Sequence, residues 1–228
     1  MKFPHPPRQG HLEQLLHIVA FLKKKPELTL YFDLSQAVLD ESIFSGSNIE
    51  QFQDHYRGAQ EELRDRIPRP RGRAGKMVAF VDASHAANKV SRKSHIWYII
   101  FLNRAPIVWY RKRQNTVESS TFTSEFVAMK TCMEKIVALR FKLMIFGIPM
   151  DGETDVLCDN QSVVNNASKF ESTLNKKHAF IAYHAIRWAV ATGIICVGEV
   201  DSNENLADAF TKRLPAVKRD YLFGNWTY

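Results

Sequence analysis

The chain has 228 residues, 45% hydrophobic and 24% charged, which fits one or two ordinary globular domains whose core needs no covalent staples. A formal net charge of +7 and a pI near 9.3 favour an anionic partner, nucleic acid foremost. Three scattered cysteines without a C-x-x-C pair argue against a disulfide framework or a zinc site and for an intracellular setting, cytoplasmic or nuclear; no apolar run reaches the ~20 residues that span a membrane, and residues 1–7 lack the apolar stretch of a secretory signal.

In chain order, residues 11–24 space Leu12, Leu15, Leu16, Val19 and Leu22 as one helical stripe, which Pro26 stops. Residues 28–32 are a short strand candidate. Residues 33–66 hold eight acids against three arginines, so this stretch stands at −5 and the remainder at +12. One polar helix is expected near 50–64. Residues 67–75, Ile-Pro-Arg-Pro-Arg-Gly-Arg-Ala-Gly, read as a linker, and the domain boundary is placed there.

Beyond it the pattern is regular. Residues 77–83 form an apolar strand, 95–102 a second, 103–106 a tight turn, and a third strand starts at 107, giving an antiparallel meander. Ser119-Ser-Thr121 supplies N-cap chemistry for a long helix to about 146, with Phe122, Phe126, Met129, Met133 and Ile136 as its stripe and Gly147 and Pro149 as its end. A strand over 155–159, a short helix to about 167, a helix over 176–192, a strand over 194–200 and a helix over 203–213 follow, with Pro215 as the stop. The order predicts an α/β fold with a five-stranded mixed sheet flanked by helices.

Four acids stand in costly or pivotal places. Asp82 shares a strand face with Val78 and Phe80, where a carboxylate needs a hydrogen bond, an ion partner or a metal; the plain alternative is a strand-end Asp closing a turn onto Ser84. Glu125 borders the buried stripe in the first turn of the long helix, where it is also well placed as a dipole acid. Asp159 ends a strand and is a candidate N-cap for the helix after it, and Asp208 lies in the first turns of the last helix. Strand ends and helix starts of this kind can converge on one edge of an α/β sheet. Four carboxylates in one small site require cations, and hard divalent ions with oxygen ligands are the natural ones.

Several ordered motifs carry a family resemblance: Phe80-Val-Asp82, Pro106-Ile-Val-Trp-Tyr-Arg-Lys-Arg-Gln114, Ser119-Ser-Thr-Phe-Thr-Ser-Glu125, Cys158-Asp-Asn-Gln-Ser162, Lys177-His178, Tyr183-His184 and Asn205-Leu-Ala-Asp-Ala-Phe-Thr-Lys212. Together they resemble the ribonuclease H (RNase H) region of copia-type LTR retrotransposon polyproteins over residues 76–214. The upstream Gly10-His-Leu and Leu28-Thr-Leu-Tyr-Phe resemble the end of the reverse-transcriptase region of the same polyproteins, and residues 215–228 resemble their C-terminus. The resemblance implies an RNase H-like fold preceded by a small helix-and-strand remnant of the reverse-transcriptase connection (residues 1–32), then the acidic segment and linker (33–75). It also implies Asp82, Glu125, Asp159 and Asp208 as a D-E-D-D metal-ligand set, two Mg²⁺ ions with Mn²⁺ as a substitute, and two-metal hydrolysis of the RNA strand of an RNA–DNA hybrid that leaves a 5′ phosphate. The implied partners are the hybrid and the reverse-transcriptase part of the polyprotein, not a membrane. Two departures stand out: the family's usual Asp-Ala-Asp-Trp is here Asp82-Ala-Ser-His85, and the loop before Asp208 lacks the His that many cellular and retroviral ribonucleases H place there.

Arg111, Lys112, Arg113 and Gln114 lead into the helix bearing Glu125, a place suited to phosphate. Asn160 and Gln161 flank Asp159 and can reach sugar or base edges where 2′-hydroxyls mark RNA. Lys177 and His178 open a helix, a poor place for cations on dipole grounds and hence a further phosphate candidate. Trp97, Trp109 and Trp188 suit the core or base stacking. Two rival readings stay open. One is a transposase or integrase on the same fold, which the D…E…D…D order disfavours. The other is a catalytically inactive or domesticated nucleic-acid-binding fragment of such an element.

Overall fold

The structure is a computed structural model that describes residues 9–27, 29–44, 49–61, 67–88, 90–174, 179–211 and 215–224. Its centre is a sheet of β1 (Met77–Ser84), β2 (His95–Leu102), β3 (Ala105–Arg113), β4 (Thr154–Cys158) and β5 (Ile195–Glu199), in the order β3-β2-β1-β4-β5. The first three strands form the expected antiparallel meander, and β4 and β5 join in parallel. The β2–β3 turn uses Asn103 at φ 57°, a left-handed conformation that Asn tolerates better than most residues. Its Oδ1 accepts from the Lys76 backbone N–H at 3.0 Å, tying the turn to the start of β1. β3 runs on through Arg113, further than its apolar pattern ends, because it pairs with β2 as far as His95.

Strand alternation divides β1 between two faces. Met77, Ala79, Val81 and Ala83 enter the main core with α3 (Thr121–Ile145), α4 (Gln161–Ser168) and α5 (Phe180–Ala191). In α3 the predicted stripe is the buried one, with Phe126, Met129 and Ile136 fully covered. On the other face Val78 and Leu157 pack under Ile43 and Phe44 of a 3-10 turn (Glu41–Phe44), and Ile99 and Phe101 pack with Phe80 and Leu206. That close approach is why β5 carries Gly198: a Cβ there would stand 2.7 Å from Ile43 Cγ2 and from Phe44 Cε1. The strand order, the two parallel joins and the helical cover together make the RNase H-like fold that the resemblance implies.

The upstream residues differ from the sequence reading. The stripe residues of α1 (Gln9–Lys24) stay exposed, from Leu12 to Leu22. Residues 29–32 form no strand beyond a single bridge position at Leu30, and Leu28 lies outside the described residues. The helix expected near 50–64 is α2 (Ile49–His55), and 62–66 are not described. Its Phe52 is fully buried in the main core, edge-on to Phe170 and 4.6 Å beneath the Arg187 guanidinium. Glu61 grips the nearly buried Arg140 with two bonds of 2.8 Å. One core is thus supplied from both sides of residues 67–75.

At the other end the helix expected over 203–213 starts only at Asp208, as α6 (Asp208–Thr211), because Asp201 and Asn205 use their polar groups in turns before it; residues 212 and 213 lie outside the described residues. A further helix, α7 (Ala216–Phe223), starts directly after Pro215, which the sequence reading took as a stop. Pro suits the first turn of a helix as well as its end. Among the described residues no helix is long and apolar enough to cross a membrane.

Candidate active site

The acids gather where β1 and β4 end. The parallel register pairs Phe80 with Leu157, so two residues on, Asp82 and Asp159 leave the sheet side by side. Asp82 is 6% exposed, and its Oδ1 accepts from the Ala83 backbone N–H at 2.6 Å. Glu125, also 6% exposed, comes from the start of the second turn of α3, one residue past the first turn in which the sequence places it, on the helix side. One carboxylate oxygen each from Glu125 and Asp159 and the thiol of Cys158 lie within 4.8 Å of one another. Asp208 is 2% exposed and arrives from the opposite face, on α6, which packs against β1 and β2. Asn205 sets that approach: its Nδ2 donates to Val81 O, one residue before Asp82, and its Oδ1 accepts from Ala207 N at 3.1 Å. The structure therefore brings Glu125 and Asp159 together directly, places Asp82 beside Asp159, and seats Asp208 on the strand that carries Asp82.

Sequence reasoning missed Cys158 as part of this cluster. Its Sγ lies 4.0 Å from Glu125 Oε2. Burial first, then the charges of Glu125, Asp159 and Asp82, push its thiol well above the usual range, partly opposed by the Asn160 backbone N–H. It stays a neutral thiol, a weak donor to the carboxylate rather than a third anion. The only signal in the sequence was its position one residue before Asp159.

The expected cap of α4 is displaced by one residue. Asn160, not Asp159, is the N-cap, and its Oδ1 accepts from Ser162 N at 3.0 Å and Val163 N at 3.3 Å. Asp159 is thereby left for other chemistry. Asn160→Ala should cost about 1 kcal/mol in a denaturant titration, as N-cap losses do; no change in midpoint would remove the cap from the account.

The first turn of α3 is held from three sides. Ser120 caps it through Thr123 N. Ser124 Oγ meets His85 Nδ1 at 3.3 Å, so the His that departs from the family pattern braces the residue beside Glu125. Gln114 differs from its sequence reading. It is 3% exposed and donates from Nε2 to Ser124 O at 2.7 Å, which makes it an anchor of the Glu125 turn rather than a surface group for nucleic acid.

Of the other expected contacts, Arg111, Lys112 and Arg113 are exposed on β3, and Gln161 is exposed beside Asp159. Lys177 and His178 lie outside the described residues. Trp97 is buried under Arg111, whose guanidinium sits 4.2 Å from the ring centroid, while Trp109 and Trp188 are exposed.

Such an edge, with carboxylates from two strands and two helices, offers a hard oxygen donor set. Bringing like charges this close favours a cation between them.

No family model matches the chain. In sequence it is similar to the retrovirus-related Pol polyprotein from transposon TNT 1-94 of Nicotiana tabacum, 30% identical over 142 residues, which cover 62% of this chain and 11% of that polyprotein. It is also 28% identical over 144 residues to the Pol polyprotein from transposon RE1 of Arabidopsis thaliana, covering 63% of this chain and 10% of that one. The chain spans about a tenth of the length of these curated relatives. Among solved structures it is similar to the N-terminal RNase H domain of a Mycobacterium tuberculosis protein, with 14% identity and a TM-score of 0.46, covering 67% of this chain and 99% of that one. The chain is a sequence relative of the Pol polyproteins of copia-type plant retrotransposons, and the segment that holds its four acids has the RNase H-like fold.

Proposed function

We propose that this chain is a Mg²⁺-dependent endonuclease that hydrolyses the RNA strand of RNA–DNA hybrids, as the RNase H part of a copia-type retroelement. One observation carries the reading: carboxylates from β1, α3 and the end of β4 converge on one sheet edge, with Glu125 and Asp159 close enough to share a cation. The donor set fits hard divalent ions, and Asp82, Glu125, Asp159 and Asp208 would hold them. Two such ions, when bound, would supply an activated water and charge stabilisation for the departing oxygen.

The chain's own residues do the rest. Asp82 and Asp159 are preset by the parallel register, so they need little rearrangement on binding. Gln114, Ser120 and His85 fix the turn from which Glu125 projects. Asn205 holds the Asp208 segment against β1. Gln161 and Asn160 follow Asp159 directly and would lie beside a phosphate bound there, where amide groups can distinguish a ribose from a deoxyribose by its 2′-hydroxyl.

The test is cleavage of an end-labelled RNA–DNA hybrid by the purified chain. Cutting of the RNA strand alone, dependent on Mg²⁺ and absent in chelator, is the expected result. Hybrid binding without any cutting in Mg²⁺ or Mn²⁺ would instead establish the non-enzymatic, nucleic-acid-binding reading.

A further inference from the structure

The three cations of β3 do not share a face. Cross-strand pairs point the same way, and neighbours along a strand point oppositely. Asp82 pairs with Trp97, and Trp97 with Arg111; one step on, Ser84 pairs with His95, and His95 with Arg113. Arg111 and Arg113 therefore share the face of Asp82. Lys112 pairs with Ile96, a core-facing residue, and projects on the helix side. Trp109 lies two residues before Arg111 on the Asp82 face and is 56% exposed. β3 is the edge strand of the sheet.

Resting on the hybrid-nuclease reading, we propose that Arg111 and Arg113, flanked by Trp109, form a one-sided track on β3 that holds the sugar-phosphate backbone next to the phosphate being cut, and that Lys112 takes no part. Two strand spacings put Arg111 about 10 Å from Asp82 along the row, so it meets a neighbouring phosphate rather than the scissile one. Stacking on Trp97 fixes the guanidinium plane and leaves its N–H edge for phosphate oxygens. His95 pairs with Ser84 on one side and Arg113 on the other. Burial first, then Arg111 and Arg113, hold its imidazole below the usual value. The exposed Trp109 ring offers a stacking platform at the far end of the row.

The test measures binding of the full chain to an RNA–DNA hybrid of about 20 base pairs in Ca²⁺, at salt from about 50 to 200 mM, where each phosphate contact contributes roughly 0.9 to the slope of log K against log salt. Arg111→Gln with Arg113→Gln should lower that slope by about 1.8, and Lys112→Gln should leave it unchanged. Hybrid should quench tryptophan emission in the wild type and far less in Trp109→Phe. Thermal melts confirm that each variant is folded. A Lys112→Gln loss equal to that of the arginine pair overturns the one-sided track. An unchanged slope in the arginine pair, in a chain that still cuts hybrid in Mg²⁺, overturns the track and leaves the nuclease reading standing. A wild type that binds with an arginine-dependent slope but does not cut removes the nuclease reading and keeps the track.

Discussion

Asp159→Asn is expected to lower hybrid cleavage on the order of 10³-fold or more under the proposed nuclease reading, since a neutral amide could not balance the charge of the divalent cations the site would hold or match a carboxylate's donor strength. Stability should hardly move. Asn160 caps α4, so the substitution takes no cap from the helix and keeps the side chain's shape. In the metal-free protein it relieves repulsion with Glu125, whose carboxylate shares the cluster, so a small gain in melting temperature is the direction expected. Adding Mg²⁺ or Mn²⁺ should raise the melting temperature of the wild type and much less that of the variant, a readout independent of catalysis. The neighbouring Asn160→Ala should do the reverse, costing stability with a smaller effect on the chemical step. Adjacent residues with opposite phenotypes would separate the cation site from the helix cap. An Asp159→Asn variant that folds, binds hybrid and cuts at the wild-type rate would remove Asp159 from the site.

Much of this was legible in the sequence, and the reasons are local. The meander of β1 to β3 announced itself through dense apolar runs and the Asn103 turn, and the α3 stripe through apolar residues at helical spacing from Phe122 to Ile136. The four acids were visible because each stood at a strand end or in a helix's first turns. What escaped depended on placement in three dimensions. Gln114 follows an Arg-Lys-Arg run and reads as surface, yet the strand turns it under α3. Cys158 reads as one more apolar strand residue until α3 brings Glu125 against it. The cap of α4 slid by one because Asp and Asn are equally good caps and stand side by side. The three β3 cations read as one patch because only pairing with β2 sorts them into two faces. Phe52 sits in a helix of seven residues, too short to show a period, inside an acidic stretch that resembles a solvated connector.

That last residue supports the second large prediction. Phe52→Ala is expected to destabilise the protein by about 3–5 kcal/mol, the range for removing a fully buried aromatic ring from a core. The loss is more than transfer of the ring to water. Phe52 lies under the Arg187 guanidinium and edge-on to Phe170. Arg187, itself buried, donates to the carbonyls of Asn166, Lys169 and Phe170, closing the end of α4. Truncation at Phe52 opens that guanidinium to a cavity and loosens the segment it ties together, so hydrogen exchange should rise in α4 and α5 first. Phe52→Leu, which keeps most of the volume, should cost far less. Leu16→Ala on the exposed α1 should stay within about 0.5 kcal/mol, since no core contact is lost. The same packing predicts that a chain beginning at residue 76 is markedly less stable than the full chain, because it lacks Phe52 and the Glu61 partner of Arg140. Urea titrations of the full chain, Phe52→Ala and residues 76–228 decide it: equal midpoints for all three would mean that the domain ends at the linker and that the upstream helix merely rests on it.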